Sequence, residues 1–183
     1  MECFLAASLP TLLFGKPSQI TLAEFDAMAE EYLSAEKFAA LTSFSFPVPE
    51  KDPENCRDCH RIFAAARRFE RTLRTRIAKI RSERLERGVR VADPEEFFTE
   101  IEYILNAAMS CDDPVEREML IDRVRWDFLE DMSVGHMIDF EALCIYRLKL
   151  QILAPYAGRT PEEGTPRFEM ALESILSAAK ENK

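Results

Sequence analysis

The residues best suited to chemistry lie between positions 56 and 60, where Cys56, Cys59 and His60 form a Cys-x-x-Cys-His pattern. This pattern attaches c-type haem, because the two thiols form thioethers and the histidine ligates iron. The same thiols could instead bind zinc or exchange disulfides. A zinc site needs a fourth ligand, for which the candidates are Cys3, Cys111, Cys144 and His136. Since no spacing places any of them beside the motif, we interpret it as an incidental cluster at a helix start.

Sequence patterns of the common enzyme classes are missing from the chain. It has no Gly-rich phosphate loop, no Gly-x-Ser-x-Gly elbow and no His-Glu-x-x-His motif. Only two histidines are available for acid–base work, and no Glu-x-x-His pair supports a di-iron bundle. We therefore expect a non-enzymatic protein with no catalytic residue and no cofactor. We assign no metal ligand, and we leave open whether the three residues of the Cys-x-x-Cys-His pattern bind metal.

The second candidate site is a strongly basic segment. Arg61–Arg90 holds 11 basic and 3 acidic residues, whereas the rest of the chain holds 13 basic and 30 acidic residues. Helical spacing puts Arg67, Arg71, Arg74 and Arg81 on one face. That face could be solvated or paired with acidic helices of the same chain, it could bind an acidic protein, or it could bind nucleic acid. Nucleic acid is disfavoured because exposed aromatics are lacking and the body is acidic. We predict that Arg71, Arg74 and Arg81 bind a protein partner.

A third candidate is the segment from Asp122 to Asp127, which contains the only tryptophan. Arg125 and Trp126 belong to the residue types favoured at interfaces, so we name them as further partner-binding residues. The alternative is structural, since Arg123 and Asp127 have the spacing of a helical ion pair beside a core tryptophan. His136 follows a glycine and is better explained as a hydrogen-bonding residue at a helix start than as a catalytic base.

Composition and periodicity indicate an all-α protein. Of 183 residues, 47% are hydrophobic and 31% charged, and only five are glycine. These values exclude a collagen, a disordered chain, a disulfide miniprotein and a turn-rich β sandwich. We predict an irregular helical bundle of about six helices with one long basic helix. The predicted helices are Thr21 to about Leu41, Glu54–Arg87, Asp93 to about Met109, Asp113–Met132, Asp139–Leu153 and Thr165–Ala179.

The chain is predicted to be a single helical domain, 1–183. Three prolines fall in a loop at about 42–53, where a helix cannot continue. If that loop acts as a linker, it separates an N-terminal lobe (1–41) from a main bundle (54–183).

The opening of the chain bears on its location. The longest uncharged run, Cys3–Gly15, has 13 residues, fewer than the ~20 that a spanning helix needs. Glu2 stands where a signal peptide has positive charge, and Pro10 interrupts the apolar stretch. We expect the mature protein to begin at Met1 and to be cytoplasmic. Five cysteines, an odd number, fit reduced thiols there.

Several blocks of sequence, taken in order, resemble a known family. They are Phe4–Pro10, Phe69–Arg74 continuing to Arg81, Asp113–Leu129, Val134–Glu141, Tyr146–Leu153, and Glu163–Gly164 with Arg167–Phe168. In this order the chain resembles an uncharacterised bacterial family of helical proteins encoded beside V-type ATPase subunits. That family is similar to a shortened form of the V/A-type ATPase C subunit, whose eukaryotic counterpart is the d subunit.

The resemblance implies a function in protein assembly. The C subunit is a helical adaptor that seats the central rotor stalk on the membrane rotor ring. By analogy, this chain would be a non-enzymatic subunit or assembly component of a proton- or sodium-translocating ATPase. Its partners would be stalk or rotor subunits with acidic surfaces, and it would reach the inner membrane only through the complex, without inserting and without binding nucleic acid. The alternatives are a helical protein-binding or chaperone-like module unrelated to an ATPase and, third, a haem or metal redox protein.

Overall fold

The computed structural model describes residues 2–43, 45–46, 60–84 and 99–156. These parts of the chain are helical and contain no strand, which confirms the all-α fold class. The helices are α1 (Glu2–Ser8), α2 (Leu22–Tyr32), α3 (Ala35–Thr42), α4 (Arg61–Arg84), α5 (Thr99–Ser110), α6 (Pro114–Met132) and α7 (Phe140–Leu153), followed by a 3-10 turn (Ala154–Tyr156). None of them combines the length and the apolar character needed to cross a bilayer.

Three helices begin at the capping residues that the sequence predicts. Thr21 Oγ1 accepts a hydrogen bond from the Glu24 amide, while the Glu24 carboxylate accepts one from the Thr21 amide. The Asp113 side chain accepts from an amide at the start of α6, and Asp139 accepts from the Ala142 amide at 2.9 Å. Each cap satisfies an amide that the first helical turn leaves without a partner, which fixes where the helix begins.

The single helix expected between Thr21 and about Leu41 is wrong, because the chain forms α2 and α3 there. The break lies at Leu33 and Ser34, both of which have extended backbone angles. Ser34 starts the new helix by accepting a hydrogen bond from the Lys37 amide at 3.4 Å. Leu33 itself is buried, so the break turns an apolar side chain into the core.

Other expectations fall partly or wholly on residues outside the described ranges. They are the two ends of the long basic helix, the Asp93 start of the following helix, the last helix at Thr165–Ala179, most of the proline-rich loop, and Cys56 and Cys59.

Helix α7 lies at the centre of the fold, as its nearly continuous apolar sequence predicts. It packs against α1, α2 and α3, and also against α4 and α6. The core that results joins Leu5, Phe25 and Leu41 from the first three helices to Phe63 of α4 and Leu143 of α7. The described residues of the predicted N-terminal lobe and of the main bundle therefore share one core.

A second apolar cluster lies where α4, α5 and α6 meet. Phe69 and Leu73 of α4 pack there with Leu105 of α5 and Val124 of α6. Phe128 of α6 packs against both clusters. The long helices α4 and α6 therefore connect the two clusters.

Candidate partner-binding face and the ion pairs beneath it

The outer face of α4 carries the arginines predicted to bind a partner. Arg71 and Arg81 are exposed, and neither forms an ion pair within the described ranges. Ala78, between them along this face, is also exposed. A rise of ten positions puts the Cα atoms of Arg71 and Arg81 ~15 Å apart along the helix axis. Since the Ala78 side chain is small, it would not keep a partner from either arginine.

Arg74 lies between Arg71 and Arg81 on this face and is paired with a carboxylate of the same helix. Its Nε donates to Glu70 Oε1 at 3.1 Å, one turn earlier on α4, and 39% of its side chain is exposed. It is therefore partly committed to an internal ion pair, which was the alternative explanation of the basic face. Binding of a partner by Arg74 stays a prediction, but its removal would also disturb Glu70.

Glu70 is the centre of the ion pairs beneath the face, and sequence reasoning missed it. Only 1% of this residue is exposed, although it is a carboxylate. Arg125 of α6 donates to both of its oxygens, from Nε at 2.9 Å and from Nη2 at 2.8 Å. Two features of the sequence could have indicated Glu70. It is an isolated acidic residue next to the apolar stripe of a basic helix, and it lies four residues before Arg74.

Arg125 is therefore paired within the fold, with 20% of its side chain exposed. Its Nη1 donates to Asp122 Oδ1 at 2.6 Å, and Asp122 Oδ2 accepts from the hydroxyl of Tyr156 at 2.6 Å. Desolvation alone would lower the pKa of Arg125, but Glu70 and Asp122 outweigh it and raise this pKa above its usual value. The guanidinium is thus a permanent cation that joins α4 to α6.

Trp126 is internal, with 4% of its surface exposed. Its ring packs against Phe14 at a centroid distance of 5.6 Å, and Lys149 Nζ lies 5.2 Å from the ring centroid. Arg123 and Asp127 form the ion pair that their spacing indicates, at 2.9 Å. The structure thus does not expose Trp126 and Arg125 in the way that a docking role requires, because core packing and the buried Glu70 occupy them. Binding of a partner through Arg125 and Trp126 stays a prediction.

A separate group of polar side chains lies at the start of α7. His136, Asp139 and Glu141 place potential ligand atoms within 4.8 Å of one another, which makes them the candidate metal-binding group of the described residues. Gly135 precedes His136 with a φ of 86°, a conformation in which a side chain is strained. The turn closes with the His136 amide donating to the Ser133 carbonyl at 3.0 Å, and it directs the imidazole toward Asp139.

His60 lies next to this group, just before α4. Its Nε2 is 3.7 Å from Glu141 Oε1, and its ring stands edge-on to Phe140 at 5.1 Å. Burial lowers the pKa of His60, and Glu141 offsets this effect only in part. Of the four candidate fourth ligands for the Cys-x-x-Cys-His motif, His136 shares the neighbour Glu141 with His60.

Comparisons of the chain with models of protein families, with curated proteins and with solved structures found no significant match.

Proposed function

We propose that this chain is a non-enzymatic docking protein that serves as a subunit or assembly component of a V/A-type ATPase. In this role it resembles a shortened form of the C subunit, the adaptor between the central stalk and the membrane rotor. Support comes from the ordered blocks of sequence that resemble the family and from the all-helical fold. The protein would be cytoplasmic and would lie at the membrane through its complex.

The observation that carries the proposal is the exposure of Arg71 and Arg81. A charged side chain that is paired within its own chain is not available to bind another protein. Arg71 and Arg81 have no ion-pair partner among the described residues. Arginine forks bind carboxylates in a defined geometry, and charge complementarity sets the register and speed of docking. The partner surface would therefore be acidic, and binding would weaken as salt screens the charges.

The rigid support of this face fits a docking role. Glu70 and Arg125 fix α4 against α6, and Phe69 stacks on Phe128 at 3.9 Å between the same two helices. A surface held in one conformation loses little entropy when a partner binds.

The test uses the tagged full chain, recovered from its native cells at moderate salt, with partners identified by mass spectrometry. We expect stalk and rotor subunits in fixed ratio. The variant R71E/R81E should lose them while its thermal melt stays unchanged, because both side chains are exposed and unpaired in the described structure. The control K16E/R123E makes the same change in net charge at exposed positions elsewhere and should retain them. Because R123E also removes the exposed pair with Asp127, the thermal melt of the control is measured as well.

Two outcomes would contradict the proposal. Equal loss in both variants would show an effect of net charge and not of the α4 face. Recovery of unrelated proteins, with the ATPase intact in the same cells, would favour the alternative of a helical protein-binding or chaperone-like module.

A further inference from the structure

Both histidines of the chain lie beside Glu141 at the start of α7, although 76 positions separate them in the sequence. His60 Nε2 lies 3.7 Å from Glu141 Oε1. A single nitrogen of Arg61, Nη2, lies 2.9 Å from the same oxygen and 3.4 Å from His136 Nε2. The guanidinium of Arg61 therefore marks a point at which an imidazole and a carboxylate converge on a cation, with a second imidazole beside them.

We propose that His60, His136 and Glu141 bind one divalent transition-metal ion, with zinc as the best match, beside the Glu141 carboxylate that both histidines approach. Two imidazoles and one carboxylate form a donor set that zinc accepts, and they leave a fourth position open for water or another ligand. Zinc bonds of about 2.0–2.1 Å at tetrahedral angles put neighbouring ligand atoms ~3.4 Å apart. The observed separation of 3.7 Å between His60 Nε2 and Glu141 Oε1 is close to this value. His136 and Glu141 place ligand atoms within 4.8 Å of each other, so the side chains would draw together when the metal binds.

Asp139 has the position of a residue that orients a metal ligand. Its Oδ2 lies 2.6 Å from His136 Nδ1, and its Oδ1 accepts from the Ala142 amide at 2.9 Å. The carboxylate is thus fixed at both oxygens and holds the proton of His136 on Nδ1, which leaves Nε2 free to bind a metal. A carboxylate behind a metal-binding histidine is the common arrangement in zinc sites.

The histidines distinguish this group from an ordinary acidic helix start. Aspartate and glutamate are expected in the first turn of α7, because they cap amides and complement the helix dipole. Neither effect accounts for two imidazoles. His60 is held in place by Phe63 and Phe140, whose rings it meets edge-on at 6.2 Å and 5.1 Å, and its Nδ1 has no hydrogen-bond partner within the described ranges.

Arg61 is able to leave when a metal arrives. Its side chain is 65% exposed, so the guanidinium can turn into water at little cost. It is also the first residue of α4, where the helix dipole disfavours a cation. Arg61 thus competes with the metal for Glu141 and His136, and its removal should strengthen metal binding.

The experiment measures zinc binding to the full chain after treatment with a chelator, by calorimetry in competition with a chelator of known affinity. We expect one zinc ion per chain. H136Q and E141Q should each lose more affinity than D139N, for which we expect about tenfold, because asparagine still caps α7 but orients the imidazole less firmly. R61A should bind zinc several-fold more tightly than the wild type.

A second measurement distinguishes this site from the two cysteines of the Cys-x-x-Cys-His pattern. The cobalt-substituted protein should show a spectrum of nitrogen and oxygen ligands without a thiolate charge-transfer band, and C56S/C59S should keep its affinity. Circular dichroism of each variant checks that it has folded. H136Q keeps the test decisive if the loss of the packed ring in H60Q disturbs the core.

Three results would overturn the inference. One is a wild type that binds zinc no better than H60Q/H136Q. Another is zinc binding that survives in H60Q/H136Q and is lost in C56S/C59S. The third is an R61A variant whose affinity for zinc is unchanged or weaker. None of these results depends on whether the α4 face binds a component of an ATPase.

Discussion

At the scale of single residues, Glu70 is the buried carboxylate that two arginines contact. It holds Arg125 through two hydrogen bonds and Arg74 through one. A buried ion pair costs desolvation energy to form, so it is weak evidence for net stability. Breaking it is costly nevertheless, because the remaining charge stays buried without its partner.

We expect Glu70→Ala to lower the free energy of unfolding by about 3–5 kcal/mol, since Asp122 alone cannot compensate Arg125. Urea unfolding followed by circular dichroism measures this. Asp127→Ala is the matched control, because it breaks the exposed pair with Arg123 and should cost less than about 1 kcal/mol. The double change E70L/R125M should recover much of the loss, as apolar replacement removes both charges. A loss for Glu70→Ala no larger than the control would show that the pair is structurally minor.

At the scale of elements, capping determines where the helices begin, and packing determines how they are arranged. The caps at Thr21, Ser34, Asp113 and Asp139 decide where helices begin. Contacts between helices determine their relative positions. Arg147 of α7 donates to both oxygens of Asp26 on α2, at 2.8 Å and 3.1 Å, and this pair joins the N-terminal helices to the central one.

We expect Ser34→Ala to destabilise the protein by about 1 kcal/mol, because the first turn of α3 would lose the acceptor for the Lys37 amide. Ser34→Asp should restore stability, since aspartate caps as well as serine does. Thermal melts of the two variants give the comparison. If Ser34→Ala were as stable as the wild type, the break between α2 and α3 would be set by the burial of Leu33 alone.

At the scale of the whole molecule, α7 carries two groups that make the fold less stable at high pH. Tyr146 of α7 donates its hydroxyl to the Pro10 carbonyl at 2.9 Å, a contact between residues 136 positions apart. Burial raises the pKa of Tyr146 from 10.0 to about 12. Burial also raises the pKa of the Cys144 thiol to about 12. Both groups are therefore neutral in the fold at pH values at which the unfolded chain ionises them.

The sign of the pH effect follows. Tyrosine and cysteine are neutral when protonated, and in this fold they hold their protons to a higher pH than in the unfolded chain. Their contribution to stability is therefore complete below the unfolded pKa and is lost as the pH rises toward the folded pKa. We expect the free energy of unfolding to fall between pH 10.0 and about 12 through Tyr146. Tyr146→Phe should fall less steeply over this range, as urea titrations monitored through Trp126 fluorescence would show. Equal slopes in the two proteins would contradict this assignment.

Local signals in the sequence predicted most of the helices. The caps of α2, α6 and α7 involve residues within a few positions of one another, so the chain needs no tertiary contact to specify them. The apolar character of α7 similarly indicated its central place. The boundary between α2 and α3 was missed because serine occurs within helices as well as at their starts, and burial of Leu33 becomes visible only once the helices pack.

The pairing of charges was decided by the tertiary structure alone. Arg125 and Arg71 look alike in the sequence, yet one binds buried Glu70, 55 positions away, and the other is exposed. Likewise, no spacing indicated that His60 and His136 would meet at Glu141. Helical periodicity fixes neighbours up to four residues apart, whereas the packing of α4 on α6 and α7 determines which distant groups are desolvated together. The sequence by itself therefore determined most of the helices and their faces, and tertiary packing decided which arginines stay exposed and which distant groups lie beside Glu141.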